Sequence, residues 1–189
     1  MAAVAASYVA VAAVYGSAVA VDAVKANETA WATLTGATSA VMGKAVAVLS
    51  GLNPDSYADM TAVASSSTAM AAVASSQTAM TAVASSNTAR TAITNSATAK
   101  NALTSSPLKT TVTKGNGNGW ENRTIRNGMG YLISCFNANS GGEAGSTWYK
   151  LDGAQTSQPA GTTNVGKFFT SSLAIYWWSS TSSVTYIPC

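Results

Sequence analysis

The 189-residue chain contains no histidine, two cysteines, four prolines and only 9% charged residues. Without histidine there is no His-ligated zinc, no imidazole base, and no Ser-His-Asp or Cys-His pair. Two cysteines cannot build a thiolate zinc site unaided. No catalytic residue, metal site or cofactor is therefore expected, and the chain reads as not an enzyme. A net charge of +3 is too small and too diffuse to argue for nucleic acid. Residues Met1 to Val21 carry no charged side chain, but they lack the basic start of a secretion signal. They are also mostly alanine, short of the strongly apolar run that a spanning helix needs, so no membrane insertion is expected.

What the chain has in excess is small residues: 37 alanines, 25 serines and 24 threonines, nearly half of the total. The two halves differ. Residues 1–104 hold 32 of the alanines, and their four basic and four acidic side chains cancel. Eleven of the fifteen aromatics lie at or after Trp120, and the whole +3 lies beyond residue 105. The composition divides the chain into an Ala-rich helix at 1–52, a repeat segment at 53–106, a linker at 107–119 and an aromatic-rich domain at 120–189. The linker is marked by Ser105-Ser106-Pro107 and by Gly115-Asn116-Gly117-Asn118-Gly119.

Internal repetition is the strongest signal. Residues 61–70 read TAVASSSTAM, 71–80 AAVASSQTAM, 81–90 TAVASSNTAR and 91–100 TAITNSATAK, a period of ten without a break. One phase holds Met60, Met70 and Met80, then Arg90 and Lys100; three residues on lie Val63, Val73, Val83 and Ile93. Four further on lie Ser67, Gln77 and Asn87. Glycine is absent from 52–114, which argues against disorder, and the lack of odd-even alternation argues against a β-fibre. A 3-4-3 spacing averages about 3.33 residues per turn, as in an overwound coiled-coil seam. Upstream, Trp31, Leu34, Thr38, Val41, Ala45, Val48 and Leu52 follow a plain heptad. Gly51 with Asn53-Pro54 reads as a helix stop and restart, compatible with a kinked rod or with a hairpin.

A lone helix with so narrow an apolar stripe cannot bury enough surface, so its partners would be copies of itself. The expected core is Met60, Val63, Met70, Val73, Met80, Val83 and Ile93, with Ser67, Gln77 and Asn87 as polar layers that favour a homotrimer. The expected fold class is thus α+β and fibrous: a long trimeric α-helical coiled-coil stalk followed by a small antiparallel β knob.

From Trp120 the period changes to two. Tyr131 to Phe136 alternate as a strand, Asn127-Gly128 signals a hairpin, and further strands are expected at 147–151, 166–171, 173–178 and 183–188. Glu121, Glu143 and Asp152 are the acids of this region and read as solvated loop residues. Cys135 and Cys189 could bridge in an oxidising medium or remain free thiols. Exposed aromatics with amide and hydroxyl neighbours engage sugar or protein surfaces, which makes Trp148, Trp177 and Trp178 the candidate contact residues of the knob.

The decads TAVASSSTAM, AAVASSQTAM and TAVASSNTAR resemble the Ala/Ser/Thr/Met repeats in fibre proteins of tailed bacteriophages, including tail fibres and collar or whisker fibres. The resemblance covers about residues 60–103. It implies a virion structural protein, usually trimeric, that meets other virion proteins at its N-terminal end and a host-surface glycan or protein at its C-terminal end. It carries no catalytic residue. A bacterial trimeric surface adhesin is the alternative reading, and it would call for a signal sequence and an anchor.

Overall fold

A computed structural model describes residues 1–139 and 146–189, so Glu143 and the centre of the loop expected at 137–145 lie outside the described residues. The chain divides into two units, Met1–Leu108 and Lys109–Cys189.

The first unit contains no long helix. It is built from α1 (Ala2–Ala5), α2 (Tyr8–Tyr15), α3 (Ala18–Lys25), α4 (Glu28–Thr35), α5 (Ser39–Leu49), α6 (Met60–Ser65), α7 (Ser67–Ser75), α8 (Gln77–Ser85), α9 (Asn87–Asn95) and α10 (Ala97–Thr104). Both the coiled-coil stalk and the choice between a rod and a hairpin at Gly51 are overturned by these breaks. A straight α-helix turns about 100° per residue, so a ten-residue repeat would rotate its apolar stripe by about 80° every cycle. The breaks remove that drift. At each corner one serine takes an extended conformation, for example φ −90° and ψ 117° at Ser66. Its hydroxyl accepts from the backbone N–H three residues on: Ser66 from Ala69, Ser76 from Ala79, Ser86 from Ala89 and Ser96 from Ala99. Such caps contribute about 1 kcal/mol each and favour a restart over a continuous helix.

The decad runs further back than the repeat segment. Ser7, Ser17 and Asn27 cap α2, α3 and α4 in the same way, and α3 leaves α2 at 100°. The heptad from Trp31 to Leu52 is therefore not the operating period. Among the described residues no single helix is long and apolar enough to cross a membrane.

Three helices make one coil, because five of the helices pack on the helix three further along: α1 on α4, α2 on α5, α5 on α8, α6 on α9 and α7 on α10. Corner serines join the coils. Ser96 donates to the carbonyl of Ala64 at 2.6 Å, Ser106 to that of Ala74 at 2.5 Å and Ser76 to that of Leu49 at 2.9 Å. The regular series is interrupted once, by residues 50–59 with a 3-10 turn at Pro54–Ser56 that Asn53 caps. There α6 passes so close to α5 that a Cβ at Gly43 would overlap the Asp59 backbone.

Met60, Val63, Met70, Val73, Met80, Val83 and Ile93 are all fully buried, but inside a single winding chain rather than on an axis between copies. The burial that a lone helix lacks is supplied by the neighbouring coils of the same chain. Ser67, Gln77 and Asn87 are exposed, each immediately after a capping serine, so they form no polar core layer. Arg90, in the phase of the buried methionines, turns its guanidinium to the carbonyl of Ala84.

The second unit is two four-stranded antiparallel sheets. Its strands are β1 (Thr110–Thr113), β2 (Glu121–Asn127), β3 (Gly130–Asn137), β4 (Trp148–Leu151), β5 (Ala154–Ser157), β6 (Gly161–Phe169), β7 (Ser172–Trp177) and β8 (Ser183–Pro188). One sheet has the order β1-β8-β3-β6, the other β2-β7-β4-β5. Residues 107–119, expected as linker, thus contain an edge strand paired with the C-terminal strand. Asn127-Gly128 turns the chain from one sheet to the other and closes no hairpin; Arg126 braces the corner by donating to the carbonyls of Met129 and Cys189. Leu132, Cys135, Phe169, Leu173, Ile175, Trp177 and Val184 fill the space between the sheets. Cys135 is in register with Val184, and Cys189 lies five residues further along, roughly 16 Å away, so the two thiols are free.

Candidate contact surface on the β unit

Register places the candidate tryptophans on two different faces. Along β7, Leu173, Ile175 and Trp177 point into the core, and Tyr176 and Trp178 point out. Trp177 is fully buried and is not a contact residue. Trp148 pairs with Tyr176 on the outer face, and Asn122 pairs with Tyr176 from the other side. Trp120, just before β2, completes the group.

The rings stand in a row. Trp120 stacks on Tyr176 at 4.7 Å between centroids with planes 8° apart, and Trp148 stacks on Tyr176 at 5.3 Å and 20°. The row is closed at both ends. Trp178 meets Trp120 edge-on at 5.4 Å, and the Lys150 ammonium lies 4.6 Å from the Trp148 ring centre. Cross-strand aromatic pairs of this kind contribute about 0.5–1.5 kcal/mol each. Ring faces are thereby used up within the row, and ring edges are what it offers outward. Trp120, at 38% exposure, is the most open of the tryptophans. Trp120 and Tyr176 were missed as sequence candidates, although the period-two alternation that buries Trp177 also sends Tyr176 outward.

The same end of the unit collects buried polar groups. Gln158 donates its backbone N–H to the Thr147 carbonyl at 2.8 Å, and its own carbonyl accepts from the Asn137 amide at 3.1 Å. Its side-chain amide is fully buried, and among the described residues neither of its atoms, nor the indole N–H of Trp177, has a hydrogen-bond partner. The Gly-Asn-Gly-Asn-Gly segment is held in place: Lys114, buried, donates its ammonium to the Gly117 carbonyl at 2.9 Å, and Asn118 accepts from the Ser180 N–H at 3.1 Å.

The two acids of this unit among the described residues, Glu121 and Asp152, do not assemble into a catalytic pair. Glu121 is level with Trp177, and Asp152 lies beyond Leu151, itself level with Leu173. About five residues of strand, roughly 16 Å, separate these levels, more than the ~9.5 Å that a glycosidase pair spans. Asp152 serves the fold: its carboxylate accepts from the N–H groups of Thr170, Ser171 and Ser172 and from the hydroxyls of Thr170 and Ser171. Partial burial pushes that carboxyl upward, but these donors outweigh it and hold it at about 2. Among the described residues no three His, Cys, Asp or Glu side chains gather as metal ligands. The surface can donate hydrogen bonds and present ring edges and one cation, which is the chemistry of binding. No protein family model matches this chain, and no curated protein is similar to it.

Proposed function

We propose that the chain is a non-enzymatic structural component of a tailed-bacteriophage virion, a tail, collar or whisker fibre protein, in which the helical solenoid is a stiff mount and the β unit makes contact. The repeat resemblance motivates the virion placement. The observation that carries the contact role is the outward row Trp120, Tyr176 and Trp148, flanked by Trp178 and Lys150. Trp120 is exposed and Tyr176, Trp148 and Trp178 half-buried, and an aromatic patch open to solvent on a small domain marks a recognition surface. Ring edges carry the positive side of the quadrupole, and Lys150 adds a charge, so the partner is rich in hydrogen-bond acceptors, as a host-surface glycan is. The argument for a trimer rested on burial between copies, and the solenoid meets that need within one chain.

The test is direct. Full-length protein is incubated with host cells, and the Trp120→Ala and Trp148→Ala variants are compared at equal fold content. Binding that falls at least tenfold in both supports this reading; unaltered binding removes the aromatic row from it. Antibody labelling of intact particles tests the virion placement separately.

A further inference from the structure

The outer face of the sheet β2-β7-β4-β5 carries more than the aromatic row. Register sets two levels side by side on it. One is Asn122, Tyr176, Trp148 and Ser157; the other, two residues along the strands, is Thr124, Ala174, Lys150 and Gln155. Asn122, Thr124, Gln155 and Ser157 are exposed, and all four are neutral amides or hydroxyls. Among the described residues Lys150 is the one charged side chain on these strands that faces outward. Glu121 and Arg123 are level with the buried Trp177 and Ile175, so alternation turns them to the opposite face. Asp152, in the turn after β4, spends its carboxylate on Thr170, Ser171 and Ser172.

Lys150 is half-buried, and its ammonium lies over the Trp148 ring with no carboxylate or hydrogen-bond acceptor among the described residues. The ring holds the cation in position but leaves its charge and its three N–H groups unspent. Lys114 and Arg126 of the same unit, by contrast, give their donors to backbone carbonyls. The ring edges beside Lys150 are the positive side of the aromatic quadrupole. Cation, ring edges and amide donors therefore sum to a potential of one sign, with no free acid on these strands to oppose it. The unit also holds all of the chain's net +3.

We propose that this face binds an acidic glycan, one whose sugar units carry carboxylates; the inference rests on the contact role given to the aromatic row. Lys150 takes a carboxylate, and the Gln155 amide, in register beside it, supplies a further donor. About 7 Å away along the strands, the Trp148 level meets the sugar hydroxyls through Asn122, Ser157 and the ring edges. One lysine is a point charge that matches one negative charge per sugar, whereas a phosphate site favours the paired donors of arginine. A neutral glycan would cover the ammonium without pairing it, so charge is what this face selects.

The full chain is passed over immobilised polygalacturonate and over the same polymer with its carboxylates methyl-esterified, a probe pair that differs in charge. Retention on the acid should exceed that on the ester about tenfold at about 20 mM salt, and should drop at about 300 mM as screening shortens the reach of the charge. Lys150→Gln should lower retention on the acid about fivefold, close to the ester level. Lys167→Gln, on the exposed edge strand β6 of the other sheet, should leave it unchanged. Equal retention on acid and ester, equal losses in the two lysine variants, or Lys150-dependent retention on dextran sulfate and not on polygalacturonate would overturn the proposal. Trp120→Ala separates it from the reading beneath. If that variant loses host-cell binding while the parent retains acid and ester equally, the acidic glycan falls and the aromatic contact stands.

Discussion

The Ser96 hydroxyl donates to the Ala64 carbonyl, thirty-two residues earlier, while accepting from the N–H of Ala99. One oxygen thus starts a helix and ties it to the coil before. Ser7 makes only the first of these bonds, to Ala10. Ser96→Ala should therefore destabilise the protein by about 2 kcal/mol and Ser7→Ala by about 1 kcal/mol, the difference being the inter-coil hydrogen bond. Equal losses in urea unfolding would mean that the inter-coil bond contributes nothing.

Val83 and Asn87 separate the solenoid from a coiled coil. Val83 is fully buried within the chain and Asn87 is exposed. Val83→Asp, an unpaired charge in a core, should unfold the helical unit at any protein concentration. Asn87→Ala should change stability by less than about 0.5 kcal/mol. Circular dichroism at two concentrations reads both. A concentration-dependent loss of helix in the Asp variant would restore burial between copies.

Asp152 supplies a pH signature. Its folded carboxyl sits at about 2, below its ordinary 3.8, so its contribution is full above pH 4 and fades as the pH falls through 2. Asp152→Asn should melt at a lower temperature than the parent at pH 7, and the two melting temperatures should converge between pH 4 and pH 2. Parallel curves across that range would show that the five donors do not depend on the charge.

The thiols should be silent in the folded protein. Burial pushes both Cys135 and Cys189 up to about 12, with the Arg126 charge opposing this at Cys189. At pH 8 neither presents appreciable thiolate. Titration with a thiol reagent should find two free groups only after denaturant is added; one rapid equivalent in native buffer would contradict this.

Met60, Val63, Met70, Val73, Met80, Val83 and Ile93 were legible in the sequence as buried, and all seven are buried, whereas Arg90 and Lys100 in the same phase are not. What covers them was not legible, because burial by copies and burial by the next coil leave the same apolar pattern. The distinguishing signal lay in the serines: Ser66, Ser76, Ser86 and Ser96 occupy the position that Ser7, Ser17 and Asn27 hold upstream, which extends the period of ten through a region where a heptad also fits. In the β unit, alternation exposed the strands around Tyr131, Ile175 and Val184. β1, β2 and β5 were missed, and all three are sheet edges with polar sequences such as TTVT, ENRTIRN and AQTS. Edge strands are only half covered, so they need no hydrophobic run. The aromatic row was half legible: Trp148 and Trp178 were identified, but the stacking of Trp120 on Tyr176 depends on the register between β2 and β7, which no local pattern encodes.

The three-helix coil also constrains how such a gene can change length. Inserting one decad would send the chain out along the next side of the triangle and re-aim everything downstream. Inserting three would return it to the same side, one helix diameter of about 10 Å further on. Ten extra residues alter direction, and thirty alter reach. Length polymorphism in this repeat should therefore come in thirties wherever orientation matters to the assembly, and in tens where it does not.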